Sequence, residues 1–386
     1  MFDVSIVPCK DYTLEAATQA LRQAIEPVGG LDWVQPGMKI AVKLNLVSAM
    51  KPEAAATVHP VMAAALTRLL VDRGACVILG DSPGGLFTPA ALNRVYAATG
   101  MKLCEEAGAF LNRDCGTGPA SFPQGNAIQS FTYTTWLDQA DAIIDFCKLK
   151  THGMMGMTAA TKNMFGVIPG TMKPEYHYLH PDALAFGNML VDLCEYFRMA
   201  GKLRLCLCDG VTGMEGNGPS KGTPRDFGVL LASQSPYAMD LVCAKLLEVS
   251  PDHVPYMIAA MDRGLIPKKV EELSVFGDMA QFLPKTPIIQ AGATKSWFVI
   301  EDNNTAYQKA LKRGLRLLLS SKPVPENTCI GCGVCADLCP AKAITIRNKK
   351  ASIDRKVCIR CFCCQEFCPK GAMIAKRPLA ARVLGK

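Results

Sequence analysis

The sequence predicts an α/β fold: duplicated, mostly parallel strand-helix units forming a cleft, with a small α+β ferredoxin-like C-terminal domain. Three observations carry this prediction. Residues 1–320 alternate short apolar runs with longer amphipathic ones. Two tracts of that region carry the same polar features in the same order. Of 18 cysteines in the 386-residue chain, nine crowd between Cys329 and Cys368.

In chain order, VSIVPC reads as a strand, TLEAATQALRQAIEPVG as a helix, MKIAVKLNLV as a strand, PVMAAALTRLLVDRG as a helix and ACVILGD as a strand. DAIIDFCKLK, PDALAFGNMLVDLCEYFRMAG and KLRLCLCDG repeat strand, helix, strand. FGVLLAS then precedes the helix PYAMDLVCAKLLEV, where Ser235 and Pro236 supply an N-cap and an N1 proline. NNTAYQKALKRGLRLLLSS predicts an amphipathic connecting helix and SSKPVPEN (320–327) a linker. The expected domains are therefore 1–319 (units about 1–115 and 116–319), the linker, a two-cluster module over 328–376, and a basic tail, 377–386.

Unit one reads Lys43-Leu44-Asn45, then His59-Pro60 opening a helix, then a strand ending in GDSPGG (80–85). Unit two reads Lys148-Leu149-Lys150, then His180-Pro181, then CDGVTG (208–213). The insertion that lengthens unit two is largely KLKTHGMMGMTAATKNMFG (148–166) with VIPGTMKPEYHY. Strand alternation puts Lys43 and Asn45 on one face, and likewise Lys148 with Lys150. Asp81 and Asp209 end their strands, where open α/β sheets bind ligands. His59 and His180 are expected at N-caps, where the positive helix end favours a neutral imidazole able to give or take a proton. The alternative is a pair of capping or core histidines. The candidate catalytic residues are Lys43, His59, Asp81, Lys148, His180 and Asp209. Candidate ligand-holding residues are Asn45, Ser82, Gly84, Lys150, His152, Lys162, Asn163 and Glu215. A short helix near 158–165 is expected to bury Met157 and Met164 and turn Lys162 toward the cleft, so that Lys148, Lys150 and Lys162 converge on the cavity of Lys43. The competing reading is a methionine-packed loop with solvated lysines.

GDSPGG and GMEGNGPSKGTP (213–224) are glycine-rich loops whose amides suit a phosphate or carboxylate, or simply make tight turns. Neither fits a P-loop, and no G-x-G-x-x-G follows the first strand. Cysteines outside the C-terminal module have no metal-ligand spacing, and Cys147, beside Lys148, alternates to the opposite strand face.

CIGCGVCADLCP (329–340) and CIRCFCCQEFCP (358–369) are each C-x2-C-x2-C-x3-C-P. In two-cluster ferredoxins the fourth cysteine ligates the other cluster. That assigns Cys329, Cys332, Cys335 and Cys368 to one 4Fe–4S cluster, and Cys358, Cys361, Cys364 and Cys339 to the second. The repetition with trailing Cys-Pro argues against zinc. Cys363 is an extra thiol, expected as a bystander. From Lys322 onward 13 Lys and Arg face 4 Asp and Glu, leaving 29 against 30 in the rest. The excess either compensates anionic clusters or forms a docking face for an acidic redox partner such as a ferredoxin or flavodoxin.

The N-terminus lacks a signal-peptide pattern and no apolar run is long enough to span a bilayer, so a cytoplasmic protein is expected. Basic residues are not interleaved with aromatics, which argues against nucleic acid. At VKLNLV, GDSPGG, KLKTHGMMGMTAATKNMFG and DGVTGMEGNGPSKGTP, followed by the double cysteine motif, the chain resembles the domain-of-unknown-function 362 family, often joined to a ferredoxin-type module. The resemblance covers most of residues 38–280 and the C-terminal module. It implies an iron–sulfur protein, commonly from anaerobes, without an activity shared across the family. The functional expectation is a ferredoxin-coupled oxidoreductase acting on a small anionic substrate or cofactor in the α/β cleft. The alternatives are a non-enzymatic electron carrier docking a redox partner, and a metal or cofactor maturation factor holding metal on His59, His180, Asp81 and Asp209.

Overall fold

The computed structural model describes residues 1–291 and 322–376. The expected connecting helix and the basic tail lie outside the described residues. The main sheet contains β1 (Val4–Pro8), β2 (Lys39–Leu44), β3 (Cys76–Gly80) and β4 (Phe110–Leu111). A small antiparallel pair, β5 (Thr117–Ser121) and β6 (Ser130–Thr134), stands apart from it. The main sheet continues with β7 (Ala142–His152), β8 (Gly156–Thr158), β9 (Leu203–Asn217), β10 (Lys221–Ser233) and β11 (Val275–Phe276). Its order is β11-β1-β10-β9-β7-β2-β3-β4, with β8 paired to β7. The run β9-β7-β2-β3-β4 is parallel, while β10 is antiparallel to both its neighbours, so the sheet is mixed. Strands of both expected units lie side by side in this one sheet.

Both faces are covered, as strands buried on two sides require. Along β7, Ile143, Cys147 and Leu149 enter one core, with the helices Ala183–Met199 and Pro236–Leu246. Ile144 and Phe146 enter the other, with the helices Leu14–Ile25 and Pro60–Val71. His59 caps the latter helix as expected, its Nδ1 accepting from Val61 N at 3.3 Å. His180 does not open a helix. It ends Lys173–Leu179, and the next helix starts at Ala183 with Asp182 as its cap, because a carboxylate accepts from a first-turn amide better than an imidazole.

Residues 322–325, expected within the linker, instead form β12 (Lys322–Pro325), which pairs with β15 (Met373–Lys376). β13 (Ile344–Arg347) pairs with β14 (Lys350–Ile353). Each cysteine run contains a short turn of helix, Val334–Asp337 and Cys363–Glu366. Among the described residues, no helix is long and apolar enough to cross a membrane.

Candidate functional site

The parallel strands end at a pocket lined by Lys43 on β2 and Asn45 just after it, Asp81 to Gly84 after β3, and Lys150 and His152 on β7. The insertion after β8 supplies the facing wall: Lys162, Asn163, Phe165, Gly166 and Lys173. Glu366 and Phe367 of the C-terminal domain complete it.

Asp81 is fixed by Leu46 N at 2.7 Å and by its own neighbour Ser82 N at 2.8 Å, and it pairs with Lys43 Nζ at 2.9 Å. Lys43 also donates to Leu44 O at 2.9 Å and to Asn163 Oδ1 at 2.8 Å. Asn45 donates to the same Asn163 oxygen at 3.1 Å and accepts from Lys150 Nζ at 2.8 Å. Lys150 donates further to Ala56 O at 2.6 Å. Gly166 lies so close to the Lys43–Asp81 pair that a Cβ there would collide with both. Lys173, not singled out from sequence, donates to Ser82 O and Ile168 O, each at 2.6 Å. Burial lowers Lys150 to about 7, helped by the charges of Lys148 and Lys162. Burial likewise brings Lys173 down to about 7, against the pull of Asp81.

Lys162 differs from the other three. Its ammonium stands 4.6 Å from the Phe165 ring centre and has no hydrogen-bond or ion-pair partner among the described residues. His152 accepts from Met154 N at 3.0 Å through Nδ1, and its Nε2 lies 3.3 Å from Glu366 Oε1. Burial alone would raise the Glu366 carboxyl, but His152 and Lys162 hold it down to about 2. Phe367 packs against Gly84, where any Cβ would overlap its ring.

The structure thus brings together Lys43, Asn45, Asp81, Ser82, Gly84, Lys150, His152, Lys162 and Asn163. Met157 and Met164 are buried as expected, around a helix limited to Ala160–Asn163. Lys148 does not reach the pocket. It belongs to a separate buried cluster, bonded to Asp209 Oδ2 at 2.8 Å and to Tyr12 OH at 2.9 Å. Asp209 also accepts from Tyr12 OH and His59 N, each at 2.9 Å, and the His59 ring stacks on Tyr12 at 3.7 Å. Burial pushes His59 down to about 4. Glu215 accepts from Arg225 Nη1 at 3.2 Å and Ile289 N at 3.1 Å, away from the pocket, and His180 lines none of it. The four residues of the metal-holding alternative do not converge. Among the described residues no group of three or more His, Cys, Asp or Glu is placed to hold a single metal ion.

Sequence reasoning also missed Asp145, hidden in an apolar strand, whose Oδ1 accepts from Asn163 Nδ2 at 2.6 Å and orients that amide. In the C-terminal domain, Cys329, Cys332, Cys335 and Cys368 line one cavity. Cys339, Cys358, Cys361 and Cys364 line a second, joined by Cys363. Ala343 N donates to Cys339 Sγ at 3.2 Å and Ala372 N to Cys368 Sγ at 3.1 Å, equivalent contacts in the two halves. Thiol cages with amide donors aimed at sulfur fit iron–sulfur clusters.

Fold and site together define an α/β protein whose strand-end pocket is walled by an iron–sulfur module. The family model described as "Domain of unknown function (DUF362)" matches residues 40–245, and a 4Fe-4S dicluster domain matches residues 324–369. The chain belongs to the DUF362 family, with a 4Fe-4S dicluster domain fused at its C-terminal side. A thylakoid-associated protein of Synechocystis sp. is 32% identical over 271 residues, 69% of this chain and 81% of that protein. The lactate racemase apoprotein of Thermoanaerobacterium thermosaccharolyticum superposes with a TM-score of 0.39 at 11% identity, covering 65% of this chain and 58% of that one.

Proposed function

We propose that the protein is an iron–sulfur oxidoreductase that binds a small anionic substrate or cofactor at the carboxyl ends of its parallel strands. One observation carries this reading: Glu366 and Phe367, set between Cys364 and Cys368, form the wall of a pocket that also presents Lys43, Lys150, Lys162 and Lys173. Cys329, Cys332, Cys335 and Cys368 hold one 4Fe–4S cluster in this reading, and Cys339, Cys358, Cys361 and Cys364 the other. Such clusters exchange single electrons.

Lys162, with no hydrogen-bond or ion-pair partner among the described residues, supplies the charge that meets the ligand. Lys43, positioned by Asp81 and Asn163, supplies the second. Asn45 holds Lys150, and Asp145 holds Asn163. Lys150 and Lys173, lowered to about 7, are suited to give or take a proton near neutrality. His152 joins the pocket to Glu366, while the Ser82 and Gly84 backbone shapes its rim. His59, Lys148 and Asp209 hold the fold. We read the two lysine–aspartate pairs, each joining neighbouring parallel strands, as one duplicated feature of which only Lys43–Asp81 faces a ligand. The basic C-terminal domain suits an acidic redox partner such as a ferredoxin or flavodoxin.

A concave, polar-lined pocket favours this reading over a carrier that merely docks a partner. The test is anaerobic purification of the whole chain with mass spectrometry of co-purifying small molecules. An organic anion retained by the native protein and lost from Lys162→Ala supports the reading. Equal retention in both overturns it.

A further inference from the structure

The lysine pocket adjoins a larger cleft. Pro83, Gly84, Glu366 and Phe367 line both. The lysine pocket encloses about 60 Å³ and the outer cleft about 450 Å³, so the inner space admits a head group rather than a whole metabolite. The outer cleft runs between Ser48–Met50 and residues 86–95 of the large domain and 368–371 of the dicluster domain. Its lining includes the buried Leu92 and Val95 and the half-buried Met50. Two cations also line this cleft, Arg94 and Lys221. Neither has an ion-pair partner among the described residues, and the Lys221 ammonium lies over Gly371 of the dicluster domain.

Cations in two adjoining cavities, with apolar surface lining the outer one, suit a ligand built the same way. We propose that the two cavities form one bipartite site for an elongated organic dianion. Its carboxylate or phosphate head lies among Lys43, Lys150, Lys162 and Lys173. Its apolar body crosses Met50, Leu92 and Phe367, and a second anionic group meets Arg94 and Lys221. This rests on the anion-binding role proposed above for the lysine pocket.

The test uses the full chain with its clusters, titrated anaerobically by calorimetry. The probes are succinate, adipate, suberate and sebacate, each beside the monocarboxylate of equal carbon number, with inorganic phosphate as a head-group probe. Octyl phosphate beside octanoate reads which head the lysines prefer. Dicarboxylates long enough to span the cleft should bind about tenfold more tightly than their monocarboxylate partners, one charge-assisted contact being worth that much. The Arg94→Ala/Lys221→Ala double variant should lose this gain while binding phosphate as before. Dicarboxylates that gain nothing, or a gain that survives the double variant, overturn the bipartite site and leave the lysine pocket standing if phosphate still binds. If phosphate and every carboxylate fail to bind, or bind equally to Lys162→Ala, both readings fall.

Discussion

His152 Nε2 lies 3.3 Å from Glu366 Oε1, a buried contact that ties the last residue of β7 to the segment between Cys364 and Cys368. It fixes the iron–sulfur module against the α/β pocket, with Phe367 on Gly84 as the apolar half of the same joint. His152→Ala leaves the carboxylate without its ring partner. We expect a loss of about 2 kcal/mol and faster hydrogen exchange over residues 363–368, with iron content unchanged. Unchanged exchange there would show that the contact does not hold the joint.

The pocket lysines give opposite pH signs for binding and stability. Lys150 and Lys173 are lowered from 10.5 to about 7, chiefly by burial, with Lys148, Lys162 and Lys43 adding repulsion and Asp81 opposing it. Glu366 also faces Lys173 and opposes the shift. Anion affinity should fall as pH rises through about 7, because the ammonium is lost. Between about 7 and 10.5 the unfolded chain binds more protons than the folded one, so stability should rise with pH over that window. Titrations with a dicarboxylate, which stays ionised throughout, and denaturant unfolding check both signs, and Lys150→Met should reduce the stability slope.

Lys148 and Asp209 form a pair that is 1% and 0% exposed, outside the pocket. Lys148→Met strands a buried carboxylate and should cost about 3 kcal/mol. Phosphate affinity should stay within about twofold of the native value if only folding depends on this pair. A Lys162→Met variant should do the reverse, with binding lost and stability kept.

Cys363 lines the second thiol cavity beside the four assigned ligands. Cys363→Ser should retain about eight iron atoms per chain, whereas Cys364→Ser should lose about half. Iron analysis with electron paramagnetic resonance of the reduced protein separates the two outcomes.

The strand ends and the double cysteine run were legible because each follows a short period. Alternation placed Lys43 and Asn45 together, and the C-x2-C spacing anticipated which cysteines share a cavity. Lys148 failed because alternation fixes faces only within one strand. In the sheet Lys43 stands beside Asp145, not beside Lys148, which therefore falls on the opposite face. Lys150 reaches the pocket only because β7 runs past the end of β2. Lys173 sits in an insertion with no strand period. Glu366 and Phe367 enter the site through contact between domains, which no local pattern encodes. His-Pro at 180–181 resembled His59-Pro60, but the carboxylate two residues on made the better cap.

The central claim is that an anion held by the pocket lysines exchanges electrons with the adjoining clusters. Stopped-flow absorbance tests it most directly: clusters reduced anaerobically are mixed with the molecule that co-purifies with the native protein. The account predicts that cluster absorbance recovers in the native chain and recovers at least about tenfold more slowly in Lys43→Ala and Lys162→Ala, each having lost one charge-assisted contact to the ligand. No recovery in the native chain, or recovery at the native rate in both variants, would contradict it.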